Sequence, residues 1–421
     1  MRPRQLLLPI VLLAASVSLA ATPANLWPRW RGPQDNGGTD APIKAVKFGP
    51  ERGLAWKTKL PGKGCSTPIL FGEHILLTAP IGDQDGLISY DLEGKKRWEV
   101  TVGQARGGKH QNGSGANPSA ATDGQIIAVY FRSGNLACVD FDGKILWDAN
   151  LQEHYGKDTL YWDLGTSPVL TAEHVVVAVM HDGESFLVAF EKETGKEAWF
   201  QPRNYQTPIE CDHSYATPLV VDLRGRETIL VWGAEHLTAH DAATGITLFE
   251  CGGFNVQKKR NWVQVGSAVV VDGVAVIPYG RGERLAGVKL GGRGDVTETH
   301  RLWTRYDTGS FVPTPAIHGG KVYLVRDRGE VDCIDPKSGK TLWSDRLPRS
   351  SKSYYASPLV NGERLYAARE DGVVFVARIA GGFKILAEND MNEQIIASPV
   401  PMGDGRLLLR GEEHLFCVAG E

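Results

Sequence analysis

Several short segments of this 421-residue chain combine aromatic rings with carboxylate, imidazole and hydroxyl groups. These segments are Tyr161-Trp162-Asp163, Asp212-His213-Ser214-Tyr215, Asn261-Trp262 and Tyr354-Tyr355. Aromatic faces stack on a ligand while neighbouring polar groups orient it, so this composition is typical of a ligand-binding cup. The candidate binding residues are Trp162, Asp163, His213, Tyr215, Trp262 and Tyr355.

The sequence contains no motif that assigns a catalytic step. It has no zinc-ligand spacing, no phosphate-binding glycine loop and no nucleophile elbow. Residues 82–86, Gly-Asp-Gln-Asp-Gly, match only a fragment of a calcium-binding loop and are predicted to form a hairpin turn. His110 and Asn112 are further polar candidates. Catalytic residues therefore remain unknown at this stage, and no metal site is predicted.

The candidate segments precede the starts of a repeat that fills the chain. Each repeat begins with a small residue, usually followed by proline, and continues into an apolar strand. The eight starts end at Pro68, Pro118, Pro168, Pro218, Ala268, Pro315, Pro358 and Pro399. Their spacing of 41 to 50 residues lies in the range of β-propeller blades, with helical solenoids as the alternative.

Local sequence chemistry favours strands over helices within each repeat. Short β-branched and apolar runs such as residues 74–78 and 321–325 are separated by glycine-containing turns, and no long segment shows an amphipathic helical pattern. Four strands fit into each repeat. The sequence therefore predicts an all-β fold, an eight-bladed β-propeller of four-stranded antiparallel blades over residues 51–421.

The turn between the third and fourth strands is the most specific motif. An aspartate precedes a glycine, and a large apolar residue follows four positions later, as in Asp335, Gly339 and Trp343. The aspartate suits an Asx turn and the glycine suits a positive φ. The aromatic residues predicted to dock between neighbouring blades are Trp56, Trp98, Trp147, Trp199, Phe249, Trp303 and Trp343. Trp303 follows Gly294 by nine residues, which predicts a longer connection in the fifth repeat.

This repeated Asp-x-x-(Thr/Ser)-Gly-Lys-x-x-Trp pattern resembles the tryptophan-docking repeat of the pyrroloquinoline-quinone-type β-propellers, the quinoprotein alcohol dehydrogenase-like superfamily. The resemblance covers residues 50–421. In addition, Trp27–Pro33 is similar to the opening of secreted propeller proteins from planctomycete-like bacteria. The superfamily includes quinoprotein dehydrogenases and a cofactor-free lipoprotein of the outer-membrane β-barrel assembly machine. The resemblance therefore implies the fold, while the function stays open.

The two ends of the chain indicate how the ring closes. The last repeat stops at Glu421, where the other repeats begin their fourth strand. A tryptophan-containing strand stands near the other end, at residues 54–58. We expect this N-terminal strand to complete the eighth blade, so that no sheet edge stays open at the seam.

In such a ring, the loops that lead from each fourth strand to the next first strand converge on one face around the channel. Asp163 and His213 lie equally far before two consecutive repeat starts, and they could approach each other as an acid/base pair. In the alternative interpretation, the aromatic residues of these loops only plug the channel and pack the loops together.

The first residues predict export of the chain. Residues 1–20 have a short basic start and an apolar stretch, and they end in small residues, which predicts a signal peptide cleaved between Ala20 and Ala21. Residues 21–50 are then an N-terminal extension. No later apolar segment is long enough to span a bilayer, and no cysteine marks a lipid anchor. We expect a periplasmic or extracellular protein without a membrane anchor.

The six cysteines do not predict a disulfide framework. Three of them occupy equivalent core positions of separate repeats, namely Cys138, Cys333 and Cys417. A bridge between Cys211 and Cys251 remains open, because both flank the fourth repeat and spacing alone does not fix their geometry.

Charge and motifs favour a binding protein. The 46 Lys and Arg against 49 Asp and Glu give a net charge of −3, which argues against a nucleic-acid partner. We therefore expect a monomeric binding or scaffold protein without a cofactor. Its ligand at the channel face would be a small molecule, a glycan or a peptide or protein.

Two alternatives to a binding protein follow from the resemblance. The first is a quinoprotein-type oxidoreductase, with pyrroloquinoline quinone stacked on Trp162 or Trp262 beside a calcium or other divalent cation. The missing pair of adjacent cysteines and the missing metal-ligand cluster argue against it. The second is a scaffold for outer-membrane protein assembly, although the lipid-anchor cysteine of that relative is absent.

Overall fold

The computed structural model describes residues 26–421 and shows eight blades of four antiparallel strands around a central channel. The predicted all-β, eight-bladed propeller is therefore confirmed. The predicted signal peptide, residues 1–20, and its cleavage point lie outside the described residues. Among residues 26–421, no helix has the length and apolar character needed to cross a membrane.

Within each blade the chain runs from a first strand beside the channel to an outer fourth strand. The first strands of blades 1 to 8 are Ile69–Phe71, Ala121–Thr122, Val169–Leu170, Leu219–Asp222, Val269–Val271, Ala316–His318, Leu359–Asn361 and Val400–Pro401. The second strands are His74–Ile81, Ile127–Tyr130, His174–Val179, Glu227–Gly233, Val274–Tyr279, Lys321–Val325, Arg364–Ala368 and Leu407–Arg410. The third strands are Gln84–Tyr90, Asn135–Val139, Phe186–Glu191, His236–Asp241, Arg284–Lys289, Glu330–Ile334, Val373–Arg378 and His414–Val418. The fourth strands are Lys96–Gln104, Ile145–Asn150, Glu197–Pro202, Thr247–Cys251, Arg301–Arg305, Thr341–Arg346, Lys384–Asp390 and Leu54–Lys59.

Short elements are inserted into this pattern at a few connections. Helix Leu151–Tyr155 follows the fourth strand of blade 2, and the Asn150 side chain caps it by accepting hydrogen bonds from two backbone amides of its first turn. The longer connection predicted for the fifth repeat contains the strand Gly294–Asp295 and the helix Thr297–His300. The inserted strand adds in parallel to the fourth strand of blade 4.

The connections between strands form two faces at opposite ends of the channel. The approach loops, which lead from each fourth strand to the next first strand, lie on what we name the upper face, together with the second-to-third turns. The first-to-second and third-to-fourth turns lie on the lower face. This division follows from the up-and-down order of antiparallel strands within each blade.

On the lower face, tryptophan residues join consecutive blades. The indole Nε1 of Trp147 donates a 2.8 Å hydrogen bond to the carbonyl oxygen of Lys192 in the third-to-fourth turn of blade 3. A Cβ atom on Gly195 of that turn would lie 2.6 Å from the Trp147 ring, so the close approach requires glycine, which also adopts a φ of 69°. The same hydrogen bond and the same ring-to-glycine contact recur at Trp56, Trp98, Trp199 and Trp303.

The third-to-fourth turns are closed by their aspartates, as the motif predicts. The Oδ1 atom of Asp91 accepts hydrogen bonds of 3.1 and 2.8 Å from two backbone amides of its own turn. The same type of contact occurs at Asp140, Asp241 and Asp335. The other two motif aromatics pack differently: Phe249 is buried in the core of blades 4 and 5, and the Trp343 ring lies 5.9 Å from that of Phe383.

The N-terminal strand closes the ring, as the sequence predicts. Leu54–Lys59 pairs antiparallel with His414–Val418 and forms the outer strand of blade 8. Its Trp56 donates a 2.8 Å hydrogen bond to the carbonyl oxygen of Leu92 in the third-to-fourth turn of blade 1. The first and last blades are therefore joined by the same contacts as other neighbouring blades.

A belt of hydrogen bonds surrounds the channel at the starts of the first strands. In each blade, a serine or threonine hydroxyl accepts a hydrogen bond of 2.8 to 3.2 Å from the backbone amide of the matching residue in the preceding blade. The eight residues are Thr67, Ser119, Ser167, Thr217, Ser267, Thr314, Ser357 and Ser398. The belt is closed, because the amide of the last member donates to the hydroxyl of the first.

The belt corrects the predicted start of blade 2. The sequence pattern places that start at Pro118, whereas Ser119 carries the belt hydroxyl and the first strand begins at Ala121. Blade 2 therefore starts two residues later than predicted. The reason is that the hydroxyl makes the contact between blades, and the proline that usually follows it is a less reliable marker.

The N-terminal segment crosses the lower end of the channel. Leu26–Trp27 pairs antiparallel with the first strand of blade 1, and Gly38–Thr39 pairs in parallel with the first strand of blade 7. Between these points, Arg31 is buried and its Nη2 donates a 2.7 Å hydrogen bond to the carbonyl oxygen of Pro358. We name residues 26–39 the strap, because its ends pair with blades 1 and 7 while its middle lies beside the first strands of blades 3 to 6.

All six cysteines are free thiols. The three that were assigned to blade cores are fully buried, namely Cys138, Cys333 and Cys417. The bridge left open between Cys211 and Cys251 is not formed. The sulfur of Cys211 accepts a 3.3 Å hydrogen bond from the Trp262 amide, whereas the sulfur of Cys251 lies 3.8 Å from the guanidinium of Arg301.

Candidate functional site

A cavity of about 720 Å³ opens at the upper end of the channel. Five belt residues line it, namely Thr67, Ser119, Ser167, Ser357 and Ser398. Trp30 of the strap lines this cavity and also a pocket of about 20 Å³ on the strap side, so Trp30 forms the floor between them. The cavity is therefore open at the upper face and closed below by the strap.

Three rings form the aromatic wall of the cavity, which we define as His110, Trp162 and Tyr355. The ring centroid of His110 lies 5.1 Å from that of Trp162, in a nearly perpendicular arrangement, and 6.3 Å from that of Tyr355. Trp162 keeps 43% of its surface exposed, and its neighbour Tyr161 is exposed as well. Two of the six candidate residues thus present aromatic surface to the cavity.

Tyr215 and Asp163 also line the cavity, but their polar groups hold the aromatic wall in place. The Tyr215 hydroxyl accepts a 3.0 Å hydrogen bond from the Trp162 amide, and burial raises the pKa of this tyrosine, which stays protonated at neutral pH. The Asp163 carboxylate accepts a 2.9 Å hydrogen bond from the His110 amide and lies 3.1 Å from Arg132 Nε. Both are therefore positioning residues for the wall.

The other two candidates, His213 and Trp262, lie outside the cavity lining. His213 is buried, and its carbonyl oxygen accepts a 3.2 Å hydrogen bond from the Gln264 amide of the next approach loop. The Trp262 ring packs edge-on against Tyr279 at 6.2 Å. These residues pack the approach loops of blades 4 and 5 against each other and against blade 5.

Asp163 and His213, which the sequence left open as an acid/base pair, do not pair with each other. The carboxylate of Asp163 is engaged by Arg132 and by backbone amides, and His213 Nε2 lies 3.9 Å from the adjacent carboxylate of Asp212. Residues that lie equally far before the first strands of two blades occupy equivalent positions only if the two approach loops have the same conformation. The approach loops differ in length and make their own contacts, so this inference fails for His213 and Trp262.

At blades 5 and 6 the cavity is lined by the arginine wall, which we define as Arg281, Arg326 and Arg328. The Arg281 guanidinium lies 4.5 Å from the centre of the Phe311 ring, and its backbone adopts a φ of 56° within the short 3₁₀ turn Gly280–Gly282. Sequence reasoning missed these residues because it searched only the approach loops. The arginine wall belongs to the second-to-third turns of the same face.

A polar network crosses from blade 2 to blades 7 and 8 at the rim of the cavity. Asn112 Nδ2 donates a 2.6 Å hydrogen bond to Glu370 Oε2, and Gln394 Nε2 donates a 2.8 Å hydrogen bond to Asn112 Oδ1. Lys63 Nζ in turn donates to Gln394 Oε1 at 3.3 Å. The network ties the blade 2 loop to the opposite side of the seam and fixes this part of the rim.

The side chains of the cavity do not fit a quinone held by a divalent cation. Within residues 26–421, no group of three or more His, Cys, Asp or Glu side chains is placed to hold a metal ion. The carboxylate of Asp163 is already engaged by Arg132, and that of Asp327 accepts hydrogen bonds from two backbone amides. Cys65 lines the cavity but has no adjacent cysteine in the chain.

Solved structures of two kinds share this architecture. The crystal structure of BamB from Moraxella catarrhalis superposes with a TM-score of 0.62 at 16% identity and covers 86% of this chain and 98% of that one. A europium-containing methanol dehydrogenase superposes with a TM-score of 0.67 at 12% identity and covers 92% of this chain and 89% of that one. At such low identities these matches show the fold alone, which is that of the eight-bladed β-propeller.

Sequence comparison assigns the family within this class. A family model described as outer membrane protein assembly factor BamB matches residues 46–199 and 294–382, more than half of the chain. The chain belongs to this family. The outer membrane protein assembly factor BamB of Escherichia coli (strain K12) is 22% identical over 326 residues, which cover 75% of this chain and 76% of the relative.

Proposed function

We propose that this chain is an exported, monomeric scaffold protein whose upper face binds a segment of a partner polypeptide, without a quinone cofactor. The observation that carries the proposal is a group of exposed apolar side chains in four consecutive approach loops beside an open cavity. Contiguous exposed apolar surface is unusual on soluble proteins and marks interaction sites.

The exposed apolar residues fall into two groups. Five of them, between 43% and 84% exposed, belong to the approach loops of blades 3 to 6, namely Tyr161, Trp162, Ile209, Val256 and Tyr306. The other large exposed apolar residues among residues 26–421 lie on or next to outer strands of separate blades, namely Leu146, Phe200, Ile246, Leu302 and Leu342. The first group shares one sector of the upper face, whereas the second lies on the outer rims of blades 2 to 6, with one residue per blade.

Four residues other than glycine adopt a left-handed backbone conformation in the same sector. Glu210, Lys258 and Asn261 have φ values between 51° and 63° in the approach loops of blades 4 and 5, and Arg281 has a φ of 56° beside them. Residues other than glycine persist in this region only where the surrounding structure holds them, and such positions cluster at functional sites. Residues with this conformation also occur on the lower face, at Arg224 and Asp272, so the proposal depends on the exposed apolar side chains and not on the strain.

A polypeptide is favoured over a small molecule or a glycan by the family to which the chain belongs. The family description and the E. coli relative both name outer membrane protein assembly, a process in which the ligand is a protein. The signal-peptide pattern of residues 1–20 supports export to the compartment where such partners occur. A role in the assembly of outer-membrane proteins is the specific form of this proposal.

Selection of peptides from a random library displayed on phage tests the proposal. Selected peptides are labelled and titrated by fluorescence polarisation against the wild type, Trp162→Ala and the matched control Leu342→Ala, which removes an exposed apolar side chain from the outer rim. We expect at least tenfold weaker binding to Trp162→Ala and unchanged binding to the control. Selection that enriches no sequence, or enriched peptides that bind Trp162→Ala as tightly as the wild type, would contradict the proposal.

A further inference from the structure

We infer that the segment bound at the upper face is acidic, and that it enters the cavity with a carboxylate against the arginine wall and an aromatic or apolar side chain against the aromatic wall. This inference rests on the proposed function and adds the chemistry of the ligand. It follows from the charges that line the cavity, the partners of those charges and the shape of the cavity.

The arginine wall is held by backbone carbonyls and is not neutralised by ion pairs within the described residues. Arg281 donates to the carbonyl oxygen of Asn261 at 3.1 Å, and Arg328 donates to that of Ser351 at 3.1 Å. Arg326 donates a longer hydrogen bond, of 3.4 Å, to a backbone carbonyl of the blade 6 approach loop. A guanidinium has five N–H donors, so each of these side chains keeps donors for a further acceptor.

The carboxylates nearest to the arginine wall are engaged elsewhere. Asp327 accepts hydrogen bonds of 2.7 and 3.1 Å from the amides of Phe311 and Val312, and burial raises its pKa. Glu330 pairs with Arg346 of the same blade, and the carboxylate of Glu283, which also lines the cavity, lies 3.7 Å from Arg284. These contacts leave the positive charge of the arginine wall available to a ligand carboxylate, which a guanidinium binds through two parallel hydrogen bonds.

The positive charge extends from the cavity onto the rim. Lys258, Lys259 and Arg260 are consecutive and exposed in the approach loop of blade 5, next to the exposed Val256. They lie on the same face as Arg281, in the sector that carries the exposed apolar residues. Basic side chains thus line the arginine wall of the cavity and continue onto its rim, in a protein with a net charge of −3.

The aromatic wall supplies the second half of the recognition site. His110, Trp162 and Tyr355 contribute ring surface to the same cavity, and Trp30 closes it below. A volume of about 720 Å³ lies in the range of sites that enclose a compact ligand, so it suits a few side chains of a peptide rather than a folded domain. The cavity can therefore bind a carboxylate and an aromatic side chain of the same short segment of the ligand.

Three fluorescently labelled peptides that differ only in charge test this inference by titration with the full-length protein. The probes are acetyl-Gly-Glu-Phe-Glu-Phe-Gly, its neutral form with Gln for Glu, and its basic form with Lys for Glu. Binding is measured by fluorescence polarisation at low and high salt to the wild type and to the double variant Arg281→Gln/Arg326→Gln. Arg293→Gln, an exposed arginine in a lower-face connection, is the matched control.

We expect the acidic probe to bind the wild type at least tenfold more tightly than the neutral probe, with a preference that decreases at high salt. The double variant should lose this preference, whereas Arg293→Gln should keep it. Thermal unfolding of each variant shows whether the fold is retained, and the single variant Arg328→Gln, at an exposed position, replaces the double variant if the latter unfolds.

Three results would overturn the inference. The first is equal binding of the neutral and acidic probes; if both then weaken with Trp162→Ala, the proposed upper-face function still stands. The second is a preference for the acidic probe that survives in the double variant. In the third, the wild type binds a sulfated oligosaccharide but not the acidic probe, and the double variant no longer binds the oligosaccharide. This result would assign the cavity to an acidic glycan.

Discussion

The lower and upper faces of this propeller are built from the same eight blades but differ in regularity. On the lower face, the aspartate turns and the ring-over-glycine contacts repeat from blade to blade, and the strap covers the channel. On the upper face, the approach loops differ in length and carry exposed apolar side chains. Regular contacts hold the ring together, and departures from regularity create the cavity and its surroundings.

The difference has a physical origin in the type of contact. A tryptophan that docks on the next blade buries its ring and satisfies its Nε1 in one step, so each lower-face junction stabilises the fold locally. The exposed Trp162 on the upper face contributes less to the free energy of unfolding, because 43% of its surface stays in contact with water. Side chains of the upper face can therefore be changed while the closed ring of blades stays folded.

The largest expected effect comes from opening the ring on its regular side. Deletion of residues 26–60 removes both the strap and the closing strand and exposes the edge of His414–Val418, so the protein should aggregate. Deletion of residues 26–39 alone is the control, because it removes the strap and retains the closing strand. Size-exclusion chromatography with light scattering distinguishes the two. A monomeric 26–60 deletion with an unchanged melting temperature would show that the strand is dispensable.

A smaller effect separates the two classes of tryptophan. Trp147 is 8% exposed and docks on the next blade, so Trp147→Ala should lower the free energy of unfolding by about 3–5 kcal/mol. Trp162→Ala should lower it by less than about 0.5 kcal/mol, because this side chain is exposed on the upper face. Urea unfolding followed by circular dichroism measures both values. Equal losses in the two variants would remove the energetic distinction between the faces.

The contrast between the regular lower face and the irregular upper face explains which features could be predicted from the sequence. The blade number, the aspartate turns and the closing strand follow from patterns that recur along the chain, because each instance reports the same local contact. The proline pattern places the start of blade 2 two residues too early, because the Ser119 hydroxyl, and not Pro118, makes the contact between blades. One wrong marker shifts the phase of a whole repeat, although it does not change the number of blades.

The site was harder to predict because it depends on contacts without a repeat. Trp162 and Tyr355 stand in the cavity wall, whereas His213 and Trp262 are turned into contacts between neighbouring loops. The role of Trp30 depends on contacts between the strap and blades that follow it in sequence by up to about 330 residues. No local pattern encodes such pairings, so a single sequence does not reveal the floor of the cavity.

The smallest predicted effect concerns the packing of the strap. Burial raises the pKa of Asp35 from 3.8 to about 7, and Arg29 at 3.3 Å offsets only part of this rise. The folded protein therefore binds this proton more tightly than the unfolded chain. Its contribution to the free energy of unfolding is complete below pH 3.8 and is lost as the pH rises through 7.

Thermal unfolding at pH 5 and pH 8 tests this expectation. The wild type should lose more stability between the two values than Asp35→Asn, because asparagine has no proton to release and also tolerates the positive φ of 53° at this position. Asp142→Asn, at an exposed turn of the lower face, serves as the control. The same pH dependence in all three proteins would show that Asp35 titrates as it does in the unfolded chain.

The position of Trp30 beneath the cavity determines how anything can move in and out of it. A channel sealed at one end is a dead-end compartment, and its contents exchange with solvent through a single opening. A long polymer cannot be passed through such a ring, so a partner reaches Trp30 only with a chain end or a tight loop. Capture and release then share one path, and the side chains at the rim control the rates of both.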